Sequence, residues 1–310
     1  MTSRTTRQRS PLRLAPAARA REGAVRALLL ACAALSVLTT FGVVAALVGE
    51  TAAFFADPAV TFGEFFTSTR WTPLFADKSF GILPLLSGTF LVTAIALAVG
   101  VPLGLASAVY LSEFAPPGRR RRVTGLLELL AGVPTVVLGY FALLFVTPLL
   151  QRVIPGLNLF NALSAGLVMG FMILPTVSSI STDAMQAVPS SLRQAAYGLG
   201  ATKVQLIFRV VLPAALSGIV ASVVLAMSRA VGETMIVSLA AGQRPLFTFD
   251  ARETIATMTS FIVQAATGDQ PAGSLASRSL YAVAATLFAI TLLLNLASQL
   301  VVRRYRERYE

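Results

Sequence analysis

The sequence predicts an all-α integral membrane protein with six transmembrane helices and both termini in the cytoplasm. Three observations predict it. Only 13% of the 310 residues are charged and 55% are hydrophobic, against about 25% charged in a soluble domain, so polar surface is too scarce to cover a water-facing globule. Six apolar runs are each long enough to cross a hydrocarbon layer of roughly 30 Å, which takes about 20 helical residues. The Lys and Arg fall in short clusters between those runs, which is how membrane proteins record their orientation. The net charge of +11 is therefore a topology signal and not a nucleic-acid surface.

Residues 1–25, rich in Arg, Ala and Pro, read as a disordered basic cytoplasmic arm. A transmembrane domain over 26–305 follows, and 306–310 form a cytoplasmic tail. The first span, Ala27–Val48, carries no charge, and its mostly apolar stretch of 22 residues exceeds the signal-peptide core of about 7–15, so it reads as a retained anchor. Ile82–Leu111 is the second, with Pro84 in its first turn and Pro102 at a kink. Val123–Leu150 has one exception, Glu128. Leu157–Ile180 is interrupted by Pro175, Leu212–Ala241 contains Arg229 and Glu233, and Leu280–Val302 is the sixth. In strict alternation the segments on one side hold 18 basic residues and those on the other hold six, which puts both ends inside. The outer loops Gly49–Gly81 and Gly242–Ser279 are the sizeable hydrophilic pieces, and Phe65, Phe66 and Trp71 are expected at the bilayer surface.

The sequence also excludes several chemistries. It has no histidine and one cysteine, Cys32, which leaves no intrachain disulfide, Cys/His zinc site or His-dependent triad. No G-x-x-x-x-G-K-[ST] phosphate loop occurs, so ATP is not hydrolysed here by that route. Glu113 and Glu128 sit near a cytoplasmic boundary, where carboxylates reach water, and are assigned structural roles. Gly100-x-x-x-Gly104 permits close helix contact.

Two segments depart from apolar filling. In the cytoplasmic loop 182–211, Ser191 with Gln194 and Thr202 with Gln205 each form an S/T-x-x-E/Q capping box. Gly200 between them suits the left-handed residue that ends a helix. Two short helices with a sharp bend at Gly200-Ala201 are expected, the first offering small residues for close approach by another surface. Within the fifth span, an Arg at mid-membrane costs about 2.5–3.5 kcal/mol. On an unbroken helix Arg229 lies about 24 Å beyond Pro213, and Glu233, four residues on, shares its face. Either the two form a neutralising pair with a packing role, or they make an anion site. The guanidinium fork suits a tetrahedral oxyanion, and a carboxylate accepts a hydrogen bond from one that keeps a proton, as phosphate does and sulfate does not. Gly232 allows a bend or exposes an N–H to a ligand.

The string Gln194 to Pro213 resembles the cytoplasmic signature of ABC-importer permeases: Glu-Ala-Ala, three residues, Gly, nine residues, Ile, one residue, Leu-Pro. Ala195, Ala196, Gly200, Leu212 and Pro213 stand at the family spacing; Gln194 replaces Glu and Val210 replaces Ile. That resemblance implies the type I ABC-importer permease architecture and a chain that catalyses no covalent chemistry. It further implies that Gln194, Ala195, Ala196, Gly200, Ala201 and Pro213 form a coupling element docked on an ATPase, with ATP-Mg in that partner and no cofactor here. Over residues 20–305 the chain is similar to the PstC family of phosphate-importer permeases. The carrying strings are Phe66–Pro73, Pro102–Glu113, Gly132-Val-Pro-Thr-Val-Val-Leu-Gly-Tyr140 and Arg229–Met235. By that resemblance Arg229 and Glu233 take part in phosphate passage. The partners are a PstA-like permease subunit, two copies of a PstB-like ATPase and a PstS-like extracytoplasmic binding protein, in the inner (plasma) membrane of a prokaryote. The competing readings are the paralogous PstA subunit, a sulfate or molybdate permease, a proton-coupled anion carrier, and a structural scaffold without transport.

Overall fold

The computed structural model describes residues 16–75, 77–271 and 273–305. Its helices are α1 (Pro16–Phe55), α2 (Phe62–Thr67), α3 (Leu83–Val109), α4 (Pro117–Ala131), α5 (Thr135–Phe141), α6 (Thr147–Gln151), α7 (Ala162–Gln186), α8 (Ser190–Gly198), α9 (Lys203–Leu206), α10 (Leu212–Ala214), α11 (Leu216–Val231), α12 (Met258–Thr267) and α13 (Leu275–Tyr305). Short π-helical turns cover Tyr110–Phe114, Ala142–Val146, Ile207–Val211 and Val237–Ala241. One bridge, Trp71 to Phe80, is the β pairing among the described residues. Four helices are long and apolar enough to span a membrane, and six spans result if each of two bent pairs counts as one.

Two compact units divide at Gly49 and Glu50. In the first, the helix exposes Leu28, Leu30, Leu35, Leu38 and Phe41 around its whole circumference, which suits a helix solvated by lipid. The expected arm ended at residue 25, but α1 already begins at Pro16. A proline in the first turn followed by a run of alanines favours helix there. Residues 1–15 of that arm and 306–310 of the tail lie outside the described residues.

Three apolar clusters hold the second unit. The central one joins α3, α7, α11 and the 237–241 turn through Val92, Ala96, Val168, Met169, Ile173, Ala226, Ala230 and Ile236. Small residues bring α3 and α7 together: a Cβ on Gly100 would sit 2.6 Å from the carbonyl oxygen of Gly170 and from Ile173, and one on Gly104 would meet Val177 at 2.7 Å. Gly100→Val is therefore expected to destabilise the detergent-solubilised chain by about 1–3 kcal/mol, the usual cost of overpacking, read as a lower Tm.

Another cluster joins the segments between spans to the ends of α1, α3 and α13 and contains Phe54, Phe65, Trp71, Phe80, Leu85, Phe261 and Val283. Phe65 and Trp71 are 1% and 2% exposed, so two of the three aromatics expected at the bilayer surface are core residues instead, with Phe66 alone exposed. Trp71 packs edge-on against Phe261 at 4.9 Å, and Phe65 meets Phe54 edge-on at 5.9 Å. The loops 49–81 and 242–279 fold around these contacts, building α2 and α12 where hydrophilic loop was expected.

The third cluster, with Ala108, Met185, Val188, Ala196, Leu206 and Ile219, closes the 182–211 segment against the ends of α3 and α7.

Every span differs from its expected bounds by some residues, and three depart from the expected course. The third is two helices meeting at 89°, because Gly132-Val133-Pro134 cannot continue an α-helix: a residue before proline is pushed to extended backbone. The fourth runs without interruption through Pro175 and starts at Ala162 rather than Leu157. Asn161 caps it, its Oδ1 accepting the N–H of Ser164 at 2.7 Å. The fifth bends by 69° at Ala215 and ends at Val231.

Candidate functional site

Arg229 stands in the last turn of α11 and is exposed. Gly232 follows the helix, with its N–H on the carbonyl of Ser228 at 3.3 Å, and the Glu233 N–H reaches the carbonyl of Ala230 at 3.2 Å. The chain then restarts as helix at Met235. The expected pairing of Arg229 with Glu233 on one helical face is corrected: no ion pair within 4.0 Å joins them among the described residues. The helix stops between them, so the four-residue spacing no longer implies one face. Gly232 was the sequence signal for that break.

Each group has found a different partner. Arg229 donates from Nη1 to Thr176 Oγ1 on α7 at 3.3 Å, one of the five N–H donors a guanidinium carries. Glu233 Oε1 accepts the N–H groups of Met235 and Ile236 at 3.0 and 3.3 Å. It therefore caps the restarted helix in the manner of an N-cap carboxylate, where the helix dipole favours negative charge. Oε2 accepts no hydrogen bond among the described residues. The Glu233 carbonyl also accepts from Thr259 Oγ1 at 2.7 Å, fixing the break against α12.

Thr176 was not singled out from the sequence. It lines a cavity of about 380 Å³ together with Arg120, Thr124, Glu128, Ser179 and Asp183. Thr176, Ser179 and Asp183 are spaced three and four apart on α7, which places them on one face. The cluster of hydroxyls Thr176, Ser178, Ser179, Ser181 and Thr182 in an otherwise apolar span was the signal that could have found them. Glu128, expected to play a structural part, is exposed at this cavity. A separate cavity of about 550 Å³ lies among the segments between spans, with Trp71, Phe160, Gln243, Arg244 and Gln264 on its wall.

In the loop after α12's preceding turn, Arg252 donates to Asp250 at 3.0 Å from Nε and 2.6 Å from Nη2. These hydrogen bonds hold the Asp250 carboxyl down at about 2. A depressed carboxylate pKa contributes above its ordinary range near 4 and is lost only as pH falls through about 2. Asp250→Asn is thus expected to leave the pH profile of solute uptake unchanged between about pH 5 and 8, measured on vesicles.

The 182–211 segment folds as a helical hairpin. Thr202 and Gln205 make the expected reciprocal capping box at 3.3 and 2.9 Å. Gly200 takes φ +79°. The Ala201 N–H bonds to the Ala196 carbonyl and the Gly200 N–H to that of Tyr197, at 3.1 and 2.9 Å, the Schellman pattern that satisfies a helix end. The first expected box is corrected. Helix α8 starts at Ser190 after Pro189, and no side chain caps it, because the proline ring sets the entry and leaves Ser191 inside the first turn. Gln194 and Ala195 are exposed, Ala196 is buried, Gly200 and Pro213 are exposed, and Ala201 is half-buried. Leu199 is 90% exposed, with Phe208 and Val204 also outward. Glu113, expected to reach water, is 5% exposed at its side chain and paired with Arg193.

A family profile described as a binding-protein-dependent transport system inner membrane component matches residues 100–307. The probable ABC transporter permease protein YqgH of Bacillus subtilis (strain 168) is 35% identical over 230 residues, 74% of this chain and 74% of that protein. The phosphate transport system permease protein PstC of Mesorhizobium japonicum is 36% identical over 264 residues, 78% of this chain and 80% of that one. PstC of Haemophilus influenzae is 31% identical over 266 residues, 79% and 82% of the two chains. A solved bacterial ABC transporter that imports alginate superposes with a TM-score of 0.60 over 93% of this chain and 100% of its own, at 18% identity, which establishes the fold alone. The chain belongs to the binding-protein-dependent ABC-importer permeases and is a multi-pass permease subunit of the bacterial inner membrane.

Proposed function

We propose that this chain is the PstC-type permease subunit of an ATP-driven inorganic phosphate importer and forms half of the translocation route. One observation carries the reading: a guanidinium in an apolar span, Arg229, with no carboxylate within ion-pair distance among the described residues, hydrogen-bonded to a threonine on the wall of a cavity lined by hydroxyls together with Arg120, Glu128 and Asp183. An uncompensated charge within a membrane span is costly, and a passing oxyanion would offset the cost. The PstC relatives support phosphate as that oxyanion.

Arg229 supplies attraction through its remaining N–H groups. Glu233 supplies selectivity through Oε2, which accepts the proton-bearing oxygen of monohydrogen or dihydrogen phosphate and repels sulfate. The backbone N–H groups of Met235 and Ile236 on Oε1 hold the carboxylate in a fixed orientation. The α8–α9 hairpin presents Gln194, Ala195, Gly200 and the outward Leu199 to an ATPase subunit. ATP-Mg binds in two copies of that PstB-like partner, a PstA-like subunit forms the other half of the route, and a PstS-like binding protein delivers phosphate outside.

The test is uptake into vesicles that hold this chain with its partner subunits. Phosphate accumulation driven by ATP and resistant to excess sulfate supports the reading. Sulfate competition at equal concentration would make it a sulfate-type permease, and uptake driven by a proton gradient without ATP would make it a carrier.

A further inference from the structure

The hairpin is tied to the rest of the chain by side chains that its own closure does not require. Arg193 on α8 donates Nη1 to both carboxylate oxygens of Glu113, each at 2.8 Å, and Nη2 to the carbonyl of Met185 at 2.7 Å. One guanidinium thereby joins α8, the π-helical turn Tyr110–Phe114 and the last turn of α7. The pair is shielded, at 21% and 5% side-chain exposure. A second tether lands beside the first: Lys203, which opens α9, holds its Nζ 4.5 Å from the centre of the Phe114 ring. The two tethers leave opposite arms of the hairpin, on either side of the left-handed Gly200, and end on adjacent residues.

Stability alone does not call for this arrangement. Val188, Ala196, Leu206 and Met185 already close the hairpin with apolar contacts, and a shielded ion pair rarely stabilises more than apolar residues of the same volume. What Arg193 adds, with Nη1 shared between both Glu113 oxygens and Nη2 on the Met185 carbonyl, is fixed orientation. The receiving element matters too. A π-helical turn is a wide-wound stretch where a helix can change register, and such turns recur at functional sites. This one continues directly into α3, which packs along α7 through Gly100 and Gly104 and shares the central cluster with Ala226 and Ala230, next to Arg229.

We propose that Glu113 and Arg193 are positioning residues that carry movement of the α8–α9 hairpin into α3 through the Tyr110–Phe114 turn, with Lys203 on Phe114 as the second strut. The proposal rests on the reading of the hairpin as the ATPase-docking element.

The experiment uses the complete complex in proteoliposomes with binding protein and ATP, and measures ATP hydrolysis and phosphate uptake on the same preparation. Co-purification of the ATPase is recorded first, for the unaltered chain and for E113Q, R193K and the exchange E113R/R193E. The expected result is unchanged ATPase retention and continued hydrolysis, with phosphate moved per ATP falling about tenfold in each single variant, and a partial recovery in the exchange. Wild-type uptake per ATP in E113Q would overturn the proposal. So would loss of ATPase retention in all three variants, since the pair would then merely hold the hairpin's shape. Failure of the underlying reading is visible separately, as an unaltered chain that retains no ATPase or moves no phosphate.

Discussion

Replacing Arg229 with Gln is expected to reduce ATP-driven phosphate uptake by at least about tenfold, the scale of one lost charge-assisted hydrogen bond to an ionised group, while the ATPase still co-purifies. The Arg229 side chain makes its single hydrogen bond among the described residues to Thr176 at 3.3 Å, and it forms no ion pair within 4.0 Å among them. Removing it costs the fold little, because the end of α11 is fixed by other bonds: Ser228 donates to Asn295 on α13 at 2.9 Å, and Thr259 holds the Glu233 carbonyl. Glu233→Gln should behave differently. The amide oxygen keeps the cap on Met235 and Ile236, so uptake survives in part and discrimination against sulfate declines, read as a lower sulfate concentration for half-inhibition.

Gly200→Val has the other large expected effect, a loss of ATPase co-purification with the chain still inserted and folded. At φ +79° a β-branched residue pays about 1–2 kcal/mol against the left-handed conformation, so the Schellman turn at Ala196–Ala201 is expected to open. Beyond its chain neighbours, nothing among the described residues lies within 4 Å of the added Cβ, so the core is untouched. The new bulk would project from an exposed bend between Leu199 and Ala201. Gly200→Asn, which tolerates this backbone, should retain most of the partner and separates backbone strain from surface fit. Pull-down of the ATPase from detergent extracts measures both.

What the sequence disclosed divides by range. Features set within four residues were legible: the Thr202/Gln205 box, the left-handed Gly200, the proline-led starts and the apolar runs themselves. Even there, neighbours decided the outcome, since Pro189 moved the start of α8 and cancelled the Ser191/Gln194 box. The bends at Gly132-Val133-Pro134 and after Val231 were written in glycine and proline, but counting apolar residues over a long window merges the two pieces of a broken span. That merging also produced the expected Arg229–Glu233 face. Contacts between distant segments were not legible. Trp71 and Phe261 are far apart in the chain and meet in one cluster, so aromatics that look interfacial by position turn out to be core. Glu113 and Arg193 are 80 residues apart, and neither local pattern announces the other. Thr176 lies between these cases: its hydroxyl-rich stretch was visible, but its partner on α11 was not.

On the proposed function, a cationic side chain at position 229 stands in a water-filled conduit and is required by the travelling anion. The direct measurement replaces Cys32 with Ser, introduces Arg229→Cys in the complete complex, and follows phosphate uptake before and after treatment with methanethiosulfonate ethylammonium, which attaches a positive charge to an accessible thiol. The expected result is an assembled, inactive complex whose uptake returns on modification and whose modification is slowed by phosphate. Uptake at the unaltered rate before treatment, or a thiol that reacts in no state of the ATP cycle, would contradict it.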